Sequence, residues 1–136
     1  MPTFDLQRIT AIEGQQAFYQ LIIDDKPSLD LYEAGLEKKY RKNLIQLYHT
    51  MEKIANNEHV PEEKFHELTG RLKNDPYKEY VFKHGDLRIY AVKAMIGKII
   101  IILAGFKNRQ SEDIRRMRSL KKQYFESLQS KRNETN

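Results

Sequence analysis

The sequence contains no cysteine. That absence excludes disulfides, thiolate catalysis and cysteine-ligated zinc, and a reducing, cytoplasmic setting is expected. Long apolar runs are missing too. The longest, Ile99 to Phe106, falls well short of the roughly 20 residues a membrane helix needs, so no membrane partner is expected. The start Met1-Pro2-Thr3-Phe4-Asp5 has no basic region leading into an apolar core, and no secretory signal is expected from it. Histidines are few, and His49, His59 and His66 are scattered in a chain poor in nearby carboxylate pairs at ligand spacing. No metal and no other cofactor is expected. Repeats, low-complexity tracts and linker-like stretches are absent as well. A chain of 136 residues with 40% hydrophobic and 32% charged positions therefore reads as one globular domain, residues 1–136, able to bury a sizeable core.

What is present is an uneven charge. Residues 1–82 carry 11 Lys and Arg against 14 Asp and Glu, whereas residues 83–136 carry 13 against 5, so the net +5 resides entirely in the second part. A basic half of this kind favours a polyanion, nucleic acid first, or an acidic protein, over a merely solvated lysine-rich surface.

The most patterned stretch runs from Tyr77 to Arg109. Tyr77 to Lys83 is a candidate strand, and Leu87 to Val92 alternates β-branched, aromatic and aliphatic residues; Lys98 to Leu103 is apolar on both faces. The short links His84-Gly85-Asp86 and Met95-Ile96-Gly97 join them, which predicts a three-strand antiparallel meander. Ahead of it, Thr3 to Ile12 and Ala17 to Ile23 fit an N-terminal hairpin, although the second run fits a helix equally well. Leu36, Tyr40, Leu44, Leu47, Met51 and Ile54 recur at helical spacing and predict one long helix over 31–55, capped by Asp30 and ended by Asn56-Asn57. Residues 61–70 read as a short helix from Pro61 to Gly70, and Asn74-Asp75-Pro76 as a turn. Ser111 is placed to cap a last helix with Glu112 and Asp113 in its first turn. Its apolar stripe is Ile114, Met117, Leu120, Tyr124 and Leu128, and a frayed tail is expected over 130–136. The fold class is α+β: a small antiparallel meander against a long N-terminal helix, with a basic C-terminal helix.

This order of elements, with Phe82-Lys83-His84-Gly85-Asp86-Leu87-Arg88-Ile89-Tyr90, the apolar run ending in Gly105-Phe106-Lys107, and Asp113-Ile114 in a basic helix, resembles the RelE-like toxin superfamily, nearest its phage-derived Gp49 and HigB-type branch. The resemblance covers the second half of the chain and rests on topology alone before Asn57. It implies the toxin of a type II toxin-antitoxin system: a metal-independent endoribonuclease that acts on RNA, often ribosome-bound messenger RNA, and is silenced by a cognate antitoxin protein.

Such chemistry uses the RNA 2′-hydroxyl as nucleophile, so the protein must supply cations for the developing phosphate charge and a group that moves protons. Arg88 suits the clamp, because a guanidinium grips two phosphate oxygens and stays charged. Lys83 and Lys107 stand where the family places basic site residues, and Arg109 lies just beyond. An imidazole is the side chain suited to moving protons near neutral pH, which points to His84, and Tyr90 shares a strand face with Arg88; these are the candidates for proton transfer. Arg115, Arg116, Arg118, Lys121 and Lys122 form a basic helix that would guide RNA. Each has a plainer reading. His84 fits an ordinary turn histidine, Tyr90 a packed sheet aromatic, Arg88 a cross-strand partner of Glu79, and the helix cations a solvated face. The sequence departs from the family pattern at Leu87, where a tyrosine is common, and at Asn108, where a second lysine is usual. A basic module that binds nucleic acid or protein without cutting, or a ParE-like toxin with a protein target, is therefore the alternative.

Overall fold

The computed structural model describes residues 2–135, with side chains through residue 131. The chain begins with β1 (Phe4–Arg8) and β2 (Ala17–Ile23), an antiparallel hairpin as expected, and the two-residue β3 (Lys26–Pro27) folds back on β2. Helices α1 (Ser28–Gly35) and α2 (Arg41–Ala55) follow, with a 3-10 turn at Lys38–Tyr40 between them. Strands β4 (Phe65–Glu67), β5 (Glu79–His84), β6 (Leu87–Met95) and β7 (Lys98–Phe106) come next, then a 3-10 turn at Lys107–Arg109 and helix α3 (Gln110–Thr135).

The meander of β5, β6 and β7 is antiparallel, as its alternation predicts. It is the middle of a larger, mixed sheet in the order β1-β2-β7-β6-β5-β4, because β2 runs parallel to β7, with Ala17 opposite Lys98 and Gln20 opposite Ile101. That pairing explains why β7 is apolar on both sides. One face meets α1 and α2, where Leu29, Leu47 and Met51 pack on Phe18, Phe82, Leu87 and Ile89. The other meets α3, where Met117 and Tyr124 pack on Leu21, Val81, Tyr90, Val92 and Ile102. The sheet is thus covered by helices on both faces, not only by an N-terminal one. Side chains of this kind each contribute on the order of 1.5–3 kcal/mol when buried. Among the described residues no helix is long and apolar enough to cross a membrane.

Four local expectations are corrected. The helix predicted over 31–55 is two, since Gly35 ends α1 and Leu36 and Glu37 take extended backbone; the apolar stripe survives because Leu36, Tyr40 and Leu44 still pack on the same core. Asp30 does not cap it. Pro27 occupies the N-cap without a side-chain bond, and the orphan N–H groups of Leu29 and Asp30 instead donate to Gln20 Oε1, each at 3.0 Å. Residues 61–70 form a turn on Pro61 and the edge strand β4 rather than a helix, because β5 offers Phe65 and Glu67 a pairing partner. Ser111 is not the cap of α3, which starts at Gln110 out of the preceding 3-10 turn and runs through Thr135; Asn136 lies outside the described residues. Asn57 does end α2, in a left-handed conformation at φ 60°.

Gln20 is itself only 4% exposed, so the α1 cap is supplied from inside the sheet. Gln20→Met is expected to lower stability by about 1–2 kcal/mol, read as a fall in the urea midpoint with an unchanged slope. A midpoint equal to that of the wild type would show that α1 needs no cap.

Candidate nucleic-acid interface at the end of the sheet

Strand register decides which candidate residues meet. Lys83 of β5 is paired with Arg88 of β6, and Arg88 with Gly105 of β7, so the two cations share one row and one face, the α3 face that also carries Tyr90. Lys107 follows two residues after Gly105, its N–H bonded to Asp86 O at 2.8 Å. Across β5, β6 and β7 this row spans two strand spacings, about 10 Å. His84 is paired with Leu87 and therefore lies on the opposite face, with α1 and α2. The turn between His84 and Leu87 closes through Gly85 at φ 56°, a conformation that glycine adopts without strain.

Arg88 is not the surface residue a phosphate clamp was expected to be. It is 7% exposed. Its Nη1 donates to Gly85 O and Leu87 O, both at 2.8 Å, and its Nε to Gln110 Oε1 at 3.1 Å. No carboxylate among the described residues pairs with it; Glu79, the cross-strand partner considered from sequence, lies opposite Val92 and is bound elsewhere. Nη2 has no hydrogen-bond partner among the described residues and is not among the fully buried atoms left unsatisfied. Gln110, the acceptor on Nε, also lines a notch of about 170 Å³ at the start of α3 together with Lys107 and Arg109. Lys107 and Arg109 are exposed, the latter paired with Glu112 at 2.5 Å.

Tyr90 is a core residue. It is fully buried, its hydroxyl has no partner among the described residues, and burial with the neighbouring Asp113 carboxylate pushes the phenol up to about 12 against the pull of Arg88. A proton-transfer role at neutral pH does not suit that environment. From the sequence Asp113 is a first-turn acid of the last helix and part of the Asp113-Ile114 match, with no site role. It sits against the backbone of β7, where a Cβ on Gly105 would lie 2.1 Å from its Oδ2. Desolvation raises its carboxyl above 3.8, even though Arg109 and Arg116 pull it down. On the open edge of β7, Tyr32 of α1 donates its hydroxyl to Gly105 O at 2.8 Å.

The basic helix divides. Arg115, Arg116 and Lys122 are exposed and, among the described residues, have no hydrogen-bond or ion-pair partner. Arg118 and Lys121 are bound within the protein. Arg118 binds Glu79 at 2.9 Å and Thr69 O at 2.6 Å; Lys121, 3% exposed, reaches Asp75 and Tyr77 O at 2.6 Å and Glu79 at 3.1 Å. Glu79 is 1% exposed, so this is a buried ion cluster joining β5 to α3. Its sequence signal was the spacing: Lys121 stands four residues after Met117 and three before Tyr124, on the apolar stripe, where a cation must find an anion.

Lys121→Met is expected to cost about 3–5 kcal/mol, because Glu79 keeps its charge and loses its buried ammonium partner, whereas Lys122→Ala should stay within about 0.5 kcal/mol. Urea denaturation of both variants checks this, and equally small losses would deny the cluster its structural role. Asp113 supplies a pH test. Its raised folded pKa means that the native state holds this proton more tightly than the unfolded chain, so its contribution to stability declines as pH climbs from 3.8 through the folded value. Asp113→Asn cannot ionise and should gain on the wild type across that window; a pH-independent difference would contradict the desolvated carboxyl. No protein-family model matches this chain, and comparison with curated proteins and with solved structures yields no match.

Proposed function

We propose that this protein is a RelE-like module that binds RNA through the basic end of its sheet, with phosphates held by Lys107, Arg109 and the open Nη2 of Arg88, and with Lys83, Arg115, Arg116 and Lys122 extending the field. The observation that carries this reading is Arg88: a guanidinium more than nine-tenths buried, hydrogen-bonded only to neutral acceptors, and paired with no carboxylate among the described residues. Burying a cation without an anion is costly, and a phosphate arriving at Nη2 supplies the missing charge. The strand, helix pair, meander and basic last helix support the RelE-like assignment, and a cognate acidic antitoxin would compete for the same surface.

Cleavage is the second reading, favoured by how firmly Arg88 is held. In it the 2′-hydroxyl gives its proton to water and attacks the adjacent phosphorus, the bond from phosphorus to the 5′-oxygen breaks to leave a 2′,3′-cyclic phosphate, and the leaving 5′-oxygen takes a proton from water, with Arg88 stabilising the charge between. It stands second because His84 faces the other side of the sheet and Tyr90 is buried.

Binding of single-stranded RNA at several salt concentrations, together with induced expression and mapping of transcript ends, tests both. Lys107→Ala and Arg109→Ala are each expected to weaken binding by about tenfold with little loss of stability. Arg88→Ala is the poorer probe, since its loss also empties a buried site. Growth arrest with new transcript ends that vanish in Lys107→Ala would promote cleavage to first place. Arrest with intact transcripts and no RNA binding would overturn the RNA reading in favour of a protein target.

A further inference from the structure

We propose that Gln110 is a positioning residue, and that it aims Arg88 at the RNA phosphate while leaving the guanidinium uncompensated; this rests on the RNA-binding reading above. A guanidinium offers five N–H donors in one rigid plane, so the acceptors that take some of them decide where the rest point. Here Gly85 O and Leu87 O occupy Nη1 and Gln110 Oε1 occupies Nε. Three acceptors on two of the three nitrogens lock the plane and leave Nη2 alone. The two carbonyls come from Arg88's own turn and strand and can be supplied by almost any sequence there. The third acceptor is a side chain, and it comes from the first residue of α3. It also lines the notch that Lys107 and Arg109 border.

The acceptor's neutrality matters as much as its position. A carboxylate in its place would reach Nε as well, and would cancel the charge that draws a phosphate. Of the nearby carboxylates, Glu112 is drawn onto Arg109 at 2.5 Å, and Asp113 lies over Gly105, the cross-strand neighbour of Arg88, without forming an ion pair with Arg88. Gln110 therefore orients Arg88 without neutralising it.

The test compares Gln110→Met, which keeps the length and loses the acceptor, with Gln110→Glu, which keeps the acceptor and adds a charge. The readout is the salt dependence of binding to a single-stranded RNA of about 12 nucleotides, a length that spans a site of this class. Removing one phosphate from the set that the protein neutralises lowers the slope of log K against log salt by about 0.7 for a single strand. Both variants are expected to show a slope reduced by about that much, as does Arg88→Lys, although Gln110→Glu should melt no lower than the wild type. A residue that only supported the fold would change melting and leave the slope alone. Wild-type slopes in both variants, with RNA bound, would overturn this inference and spare the binding reading. A wild type that binds no RNA would overturn both together.

Discussion

Strands β6 and β7 are covered on both faces, and every polar side chain they carry must be satisfied within a few ångströms or reach water at the sheet's end. That constraint follows from the parallel pairing of β2 with β7, which moves β7 from an edge to the interior, and from the two helix layers that close over it. It sorts the polar residues of the centre by depth. Tyr90, deep in the α3 face, loses its partner and its acidity; Arg88, two residues nearer the end, has acceptors on two of its three nitrogens. Gly105 is the counterpart on β7. The missing side chain there lets the Asp113 carboxyl lie against the strand, so α3 begins close over the row that holds Arg88 and Lys83.

The meander, the N-terminal hairpin and the basic last helix were legible because their signals are local: alternation, glycine turns and a helical stripe within a single run of residues. The sheet's full extent was not. The partner of β7 lies far earlier in the chain, and nothing in the alternation of Ala17 to Ile23 says which strand it will join or in which direction. The long helix failed for a related reason. A stripe at three and four spacing records only which side chains face the core, and Leu36, Tyr40 and Leu44 do so across a break that periodicity cannot register. Residues 61–70 read as a helix because Pro61 and Glu62 favour a first turn, but an unpaired edge of β5 was a stronger claim on Phe65 to Glu67.

The site was legible in membership more than in geometry. Lys83, Arg88 and Lys107 do gather at one end of the sheet, and strand register could not have been derived without the turn at Gly85. Exposure was the part misjudged. A charged residue in an alternating strand reads as facing water, yet the α3 face is a core, so Arg88 and Tyr90 went inside with it. His84 went to the opposite face by the same period of two. On α3 the error runs the other way: a dense basic run reads as one solvated surface, and only its overlap with the apolar stripe separates Arg118 and Lys121 from Arg115, Arg116 and Lys122.

The two buried cations of the α3 face are satisfied in different ways. Lys121 has two carboxylates and a carbonyl around a single ammonium, so its charge is spent inside the protein and a further anion would gain little. Arg88 has comparable burial and as many acceptors, all of them neutral. Dipoles satisfy its N–H groups without cancelling its charge, and a cation left in that condition exerts its full attraction on whatever anion reaches Nη2. Holding it there costs stability that the fold recovers nowhere among the described residues. The ion cluster at Lys121 sits on the same helix, and its four charged groups tie α3 down against β5. Gln110, which accepts from Arg88 Nε, is the first residue of that same helix, so the ion cluster and the Arg88 contact both fasten α3 to the sheet.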